Sequence, residues 1–195
     1  MDISLLVNLS SRAWSLDILA ALASGTPGRQ TTLLSATGAG RSAFAGSLAN
    51  LLDMRLIERN PGHGHPLRPE FRLTADGERA AGIACRIKGL VHDPSEGALI
   101  RRTWTVPILA VTDRPRFFGE IRHELRNISD RSLSGSLRQL EDRRWIRRHV
   151  DVEARPPRPT YEAADLGADL SLAIGLAPDG PSSERKASRA NSSGR

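Results

Sequence analysis

The chain says nearly the same thing twice. "LANLLDMRLIER" at 48–59 returns as "LRQLEDRRWIRR" at 137–148, so that Leu48, Leu51, Asp53, Ile57 and Arg59 reappear 89 positions on as Leu137, Leu140, Asp142, Ile146 and Arg148. The echo reaches further in both directions. Trp14, Ile18 and Leu19 recur as Trp104, Ile108 and Leu109; "GSL" at 46–48 recurs at 135–137, "RPEF" at 68–71 as "RPTY" at 158–161, and Gly77 as Gly167. The offset slips between 90 and 89, which places a one-residue gap between the first and third helices of the unit. Self-similarity on this scale means that one small structural unit is used twice.

The expected organisation is a first domain at 1–88, with its repeat at about 12–88, and a second domain at 102–177. The stretch 89–101, "GLVHDPSEGALIR", carries Pro94 and Gly97 and reads as a linker or helix lead-in. After Pro178 the chain becomes "DGPSSERKASRANSSGR", too polar to bury anything, and a disordered tail is expected at 178–195.

Within each repeat the periodicity changes in a fixed order. "WSLDILAALASG" has helical spacing and a glycine stop. "TTLLSATG" and "FFGEIRHEL" fit a short second helix. The third helix is the clearest: Phe44, Leu48 and Leu51, matched by Leu133, Leu137 and Leu140, form an i, i+4, i+7 stripe. Ser129 suits its N-cap in the second repeat and Gly40 takes that place in the first. A strand follows ("LIER" or "WIRRHVDV"), then a Pro- and Arg-rich loop, then a return strand ("EFRL" or "TYEA"). The unit closes on a helix carrying Ala80, Ile83, Ala84 and Ile87, or Leu166, Leu170, Ala173 and Ile174. Three helices, a hairpin and a closing helix make a winged helix-turn-helix. The expected fold is mainly α with small β-hairpins (α+β), as two tandem winged helix-turn-helix domains.

Composition narrows the partners. At 195 residues, 39% hydrophobic and 26% charged, the chain suits one or two domains with a real core. The formal charge of +6 and sequence pI of about 10.8 favour a polyanion. Of the 28 basic residues 26 are arginine, the better residue for forked contacts to phosphate or guanine. Aromatic residues are only 4%, which argues against base stacking on exposed rings. Cys85 is the single cysteine, so no internal disulfide is possible. No apolar run approaches the ~18 residues of a membrane span. "MDISLLVNLSSRAW" lacks a signal peptide's positive start and cleavage site, and a cytoplasmic location is expected.

The second repeat resembles the HxlR-type bacterial transcription regulators along its whole length. The matching pieces are "WTVPIL" at 104–109, "PRFFGEI" at 115–121, "IS" at 128–129 with "LS" at 133–134, "LRQLE" at 137–141, "PPR" at 156–158 and Tyr161. The first repeat keeps mainly the hydrophobic frame. The resemblance implies sequence-specific binding of double-stranded DNA through the third helix and the wing. The sequence departs from the family pattern in three places. "SEGALIRRTW" has no sensing cysteine before the tryptophan helix, Arg143-Arg144 stand where a turn glycine is usual, and "AAD" at 163–165 replaces the common Leu-Thr start of the last helix.

With successive residues turned ~100°, the face opposite the leucine stripe in the second repeat presents Arg131, Gly135, Arg138, Gln139 and Asp142, with Ser132 at its edge. Arg131 and Arg138 suit guanine edges or phosphates, and Gln139 suits adenine. Gly135 in mid-helix gives up ~1 kcal/mol of propensity relative to alanine, which fits a close approach to DNA. The first repeat shows Ser42, Gly46, Ala49, Asn50 and Asp53 on the same face. It keeps the glycine and lacks both arginines, so the two units are expected to read unlike half-sites. Arg143, Arg144, Arg147 and Arg148 extend the basic patch. Asp53 and Asp142 would repel phosphate and are expected at the helix end, paired with neighbouring arginines. The wings add Arg59 and Arg68 in the first repeat and Arg155 and Arg158 in the second, suited to a minor groove or the backbone.

Other chemistry is thin. His63 and His65 offer two metal ligands and no third, so no metal or cofactor is expected. Cys85 shares a helix with Ile83 and Ile87 and reads as packed, and Trp14 and Trp104 read as core. No phosphate loop, nucleophile elbow or paired carboxylates stand in a plausible setting, which argues against an enzyme. The leading expectation is a DNA-binding transcriptional regulator acting as a single-chain pseudo-dimer or as a homodimer, its effector unknown. The closing helices and "DISLLVNL" at 2–9 would form the pseudo-twofold contact. The alternative is a tandem winged-helix scaffold that binds protein.

Overall fold

The structure is a computed structural model that describes residues 2–60, 69–151 and 158–175. The first half runs α1 (Ile3–Ser10), α2 (Ser15–Ala23), α3 (Gln30–Thr37), α4 (Arg41–Asp53), β1 (Ile57–Arg59), β2 (Phe71–Leu73) and α5 (Ala75–Leu90). The second runs α6 (Pro94–Ile100), α7 (Thr105–Val111), β3 (Arg116–Phe117), α8 (Phe118–Leu125), α9 (Asp130–Asp142), β4 (Ile146–Asp151), β5 (Arg158–Ala163) and α10 (Leu166–Ile174). The fold is α+β: mostly helix, with two small antiparallel sheets.

Local chemistry accounts for the boundaries. The Ser129 hydroxyl accepts from Ser132 N–H at 3.2 Å and starts α9, while Thr74 Oγ1 accepts from Gly77 N–H at 3.0 Å and starts α5. The leucine stripe of α9 is fully inside: Leu133, Leu137 and Leu140 are buried, as are Phe44, Leu48 and Leu51 of α4. Each such side chain contributes about 1.5–3 kcal/mol on leaving water. At the ends of α4 and α9 the chain turns through Arg55 (φ 54°) and Arg144 (φ 61°), the left-handed conformation that favours glycine.

The two halves also share individual hydrogen bonds. Leu56 N–H donates to Leu51 O at 3.0 Å, and Trp145 N–H to Leu140 O at 2.8 Å. Thr74 N–H donates to Leu56 O at 3.1 Å, and Ala164 N–H to Trp145 O at 2.9 Å. Each pair is displaced by 89 or 90 positions. The glycines match too. A Cβ on Gly77 would lie 1.8 Å from Leu56 O, and one on Gly167 would lie 1.9 Å from Trp145 O. In both halves the closing helix therefore starts hard against the backbone that leads into the first long strand, and only glycine leaves room.

One hydrophobic core runs through both halves. Helix α5 lies against α2 and α10, and α10 against α7. Helix α1 crosses onto α7 and α8, with Leu6 and Leu9 fully buried. At the same junction Arg86 Nε donates to Ala173 O at 2.8 Å, and the Arg101 guanidinium sits 4.5 Å from the centre of the Trp14 ring. Contact between the two halves is thus made by the closing helices and by α1.

Several expectations change. The stretch 89–101 contains a helix: Asp93 caps it, Pro94 occupies its first turn, and Leu99 and Ile100 are buried. Proline read as a loop signal is here the preformed φ of a helix start. The second sheet has three strands in the order β3-β5-β4, in place of the expected hairpin. β3 is two residues long, too short to leave a period in the sequence, and pairs Arg116 with Tyr161 and Phe117 with Thr160. Among the described residues the first half has a single isolated bridge, Arg29 with Glu70, in the corresponding place. Trp14 and Trp104 are half-buried at the starts of α2 and α7, and the tryptophan in the core is Trp145, 3% exposed. Cys85 packs at half burial with its Sγ 3.9 Å from Ala20 O. The expected tail lies outside the described residues.

Candidate nucleic-acid interface

Helices α8 and α9 form a helix-turn-helix, and burial of the leucine stripe turns the opposite face of α9 to solvent. Arg131, Ser132, Gly135, Arg138, Gln139 and Asp142 are all exposed on it. No heavy atom lies within 4 Å of where a Cβ on Gly135 would stand, so the backbone there is open to close approach. Arg143 and Arg144 continue the basic surface past the helix end, and Arg147 and Arg148 carry it onto β4, all four exposed. Arg158 opens β5, exposed, opposite Asp151 in register. Among the described residues none of these arginines makes an ion pair. Seven exposed arginines thus lie on one helix, the turn after it and the adjoining hairpin, with Arg147 and Arg148 on opposite faces of β4.

Two polar contacts hold α9 to the segment around α6. Arg102 Nη1 donates to Gln139 Oε1 at 2.8 Å, and Arg143 Nη1 donates to Ser95 Oγ at 3.0 Å. Gln139 is therefore already engaged through its side-chain oxygen. The Ser95 hydroxyl and N–H, both bonded to Asp93, hold the Asp93 carboxyl below the usual carboxylate range, with Arg143 adding to the effect. Asp142 stands at the helix end as expected, and so does Asp53 in α4. Neither makes an ion pair among the described residues, against the expected pairing with arginine. Arg143, beside Asp142, donates to Ser95 instead.

The corresponding face of α4 is different. Ser42, Ala49 and Asp53 are exposed, Gly46 is half-buried beneath Arg12, and Asn50 is half-buried with its amide donating to Asn8 O at 3.3 Å. Asn50 is thus spent on anchoring α1. Arg59 is exposed at the end of β1. Arg68, His63 and His65 of the first wing and Arg155 of the second lie outside the described residues. Among the described residues no group of three side chains could hold a metal, and no helix is long and apolar enough to cross a membrane. Arg12 and Arg102 sit in helix corners where no period marks a face; their signal in the sequence is the echo, which sets each two residues before a matched tryptophan, Trp14 and Trp104.

No curated protein and no solved structure matches the chain significantly. Residues 99–176, from the end of α6 to just past α10, match the family model described as HxlR-like helix-turn-helix, a family of DNA-binding transcription regulators.

Proposed function

We propose that the chain is a DNA-binding transcriptional regulator whose two halves are tandem winged helix-turn-helix units, joined as a single-chain pseudo-dimer. One observation carries the DNA reading: α9, the turn after it and β4 expose Arg131, Arg138, Arg143, Arg144, Arg147 and Arg148 without an ion pair among the described residues, within the stretch that matches the family. Helix α9 would enter the major groove, where Arg131 and Arg138 meet guanine edges or phosphates, while the hairpin lies along the backbone. The duplicate reading is supported by the sequence echo, by the paired hydrogen bonds and by the shared glycine requirement at Gly77 and Gly167. With α4 poorer in cations, the two units would read unlike half-sites, and the operator need not be palindromic. A cytoplasmic location goes with this reading.

The test is fluorescence anisotropy of the full chain with a duplex recovered by selection from random sequence, against a scrambled duplex. Wild-type protein is expected to prefer the selected duplex, with affinity falling steeply with salt. Arg131→Ala with Arg138→Ala is expected to remove the preference, at about 1–3 kcal/mol for each base-reading arginine. Equal, weak binding to both duplexes would overturn the reading and favour a protein partner.

A further inference from the structure

Each third helix is overlooked by an arginine that does not belong to it. Arg12, in the corner between α1 and α2, places Nη1 3.8 Å from where a Cβ on Gly46 would stand. Arg102, in the corner between α6 and α7, reaches Gln139, one turn beyond Gly135. The two arginines are 90 positions apart and the two glycines 89, so the same residue meets the same helix face in each half. Both arginines are exposed, and among the described residues neither makes an ion pair. Neighbouring Arg101 is committed differently, over the Trp14 ring.

Between the Arg102 corner and α9 runs an open groove of about 520 Å³. Arg101, Arg102, Arg131, Ser132, Gly135 and Gln139 line it, so guanidiniums come from both sides of a wall that is free of side chain at Gly135. A phosphate fits that chemistry: an anion with several acceptor oxygens, met by forked donors. In the first half, Ser42 and Ala49 stand where α9 has Arg131 and Arg138, yet Arg12 is present.

We propose that Arg12 and Arg102 are a matched pair of DNA-backbone contacts, one for each half, and that Arg12 supplies a cation to the face of α4 on which Ser42 and Ala49 replace arginine. The proposal rests on the DNA-binding reading above. Arg102 leaves Gln139 for a phosphate oxygen as the duplex arrives, and the released Gln139 amide turns to the base edges. Phosphate contact and base readout are thereby linked through one exchanged hydrogen bond.

The experiment measures the salt dependence of binding by the full-length protein to the selected duplex. Arg12→Ala and Arg102→Ala are each expected to weaken binding several-fold and to lower the slope of log K against log salt by roughly 0.9, the share of one phosphate. Arg12→Lys is expected to recover most of the slope, since a phosphate asks for charge. Circular dichroism of these exposed-site variants should match the wild type. If both alanine variants keep the wild-type slope and affinity while Arg131→Ala with Arg138→Ala loses the duplex, the pair is not a DNA contact, although the regulator reading stands. If selection yields no preferred duplex, or the α9 double variant binds it as the wild type does, the DNA reading fails and the proposal falls with it.

Discussion

Gly77 and Gly167 show how a single residue dictates the geometry of a whole unit. A Cβ at either would sit under 2 Å from a carbonyl oxygen, a clash that neither backbone can relieve by rotating a side chain. Gly77→Ala and Gly167→Ala are each expected to destabilise the protein by about 3 kcal/mol or more, at the upper end of overpacking costs. Urea unfolding measures it, and a loss below about 1 kcal/mol would show that the closing helices are not pinned there. Arg55 and Arg144 record the opposite choice. Glycine would relieve their positive φ, yet both halves hold arginine, and at 144 that arginine is exposed beside α9. Backbone strain of about 1 kcal/mol is tolerated where a cation is placed.

At the scale of elements, the periodic parts are legible in the sequence and the short ones are not. Helices α4, α9 and α5 are readable because Leu133, Leu137, Leu140 and their counterparts repeat at helical spacing over about two turns. β3 is not, since two residues carry no period, and α6 is hidden behind Pro94 and Gly97. The exposed face of α9 follows from the stripe opposite it. Its engagement by Arg102 does not, because that contact depends on how two corners fold together. Helix α1 belongs to this scale as well, crossing onto α7 and α8 with Leu6 and Leu9 buried. Leu9→Ala is expected to cost about 2–5 kcal/mol, the range for a buried leucine cavity. Because the core is continuous, thermal unfolding should shift as one transition; two separate transitions would mean that the halves fold independently.

The two halves differ more in their surfaces than in their hydrogen-bonded frames. The second half carries the denser basic surface and the family match, while the first half has spent Asn50 on holding α1 and keeps Arg12 over its helix. The closing helices α5 and α10 lie together at the junction, where identical subunits would otherwise need a separate partner chain. In the proposed reading, a covalent pair of units would present two different reading heads at a fixed spacing and at any protein concentration. The central claim is that one chain does the work of a dimer. Native mass spectrometry of the complex with the selected duplex, combined with a hydroxyl-radical footprint, tests this most directly. The account predicts one chain per duplex, protecting two sites roughly one helical turn (~34 Å) apart. Two chains per duplex, or one chain covering a single half-site, would contradict it.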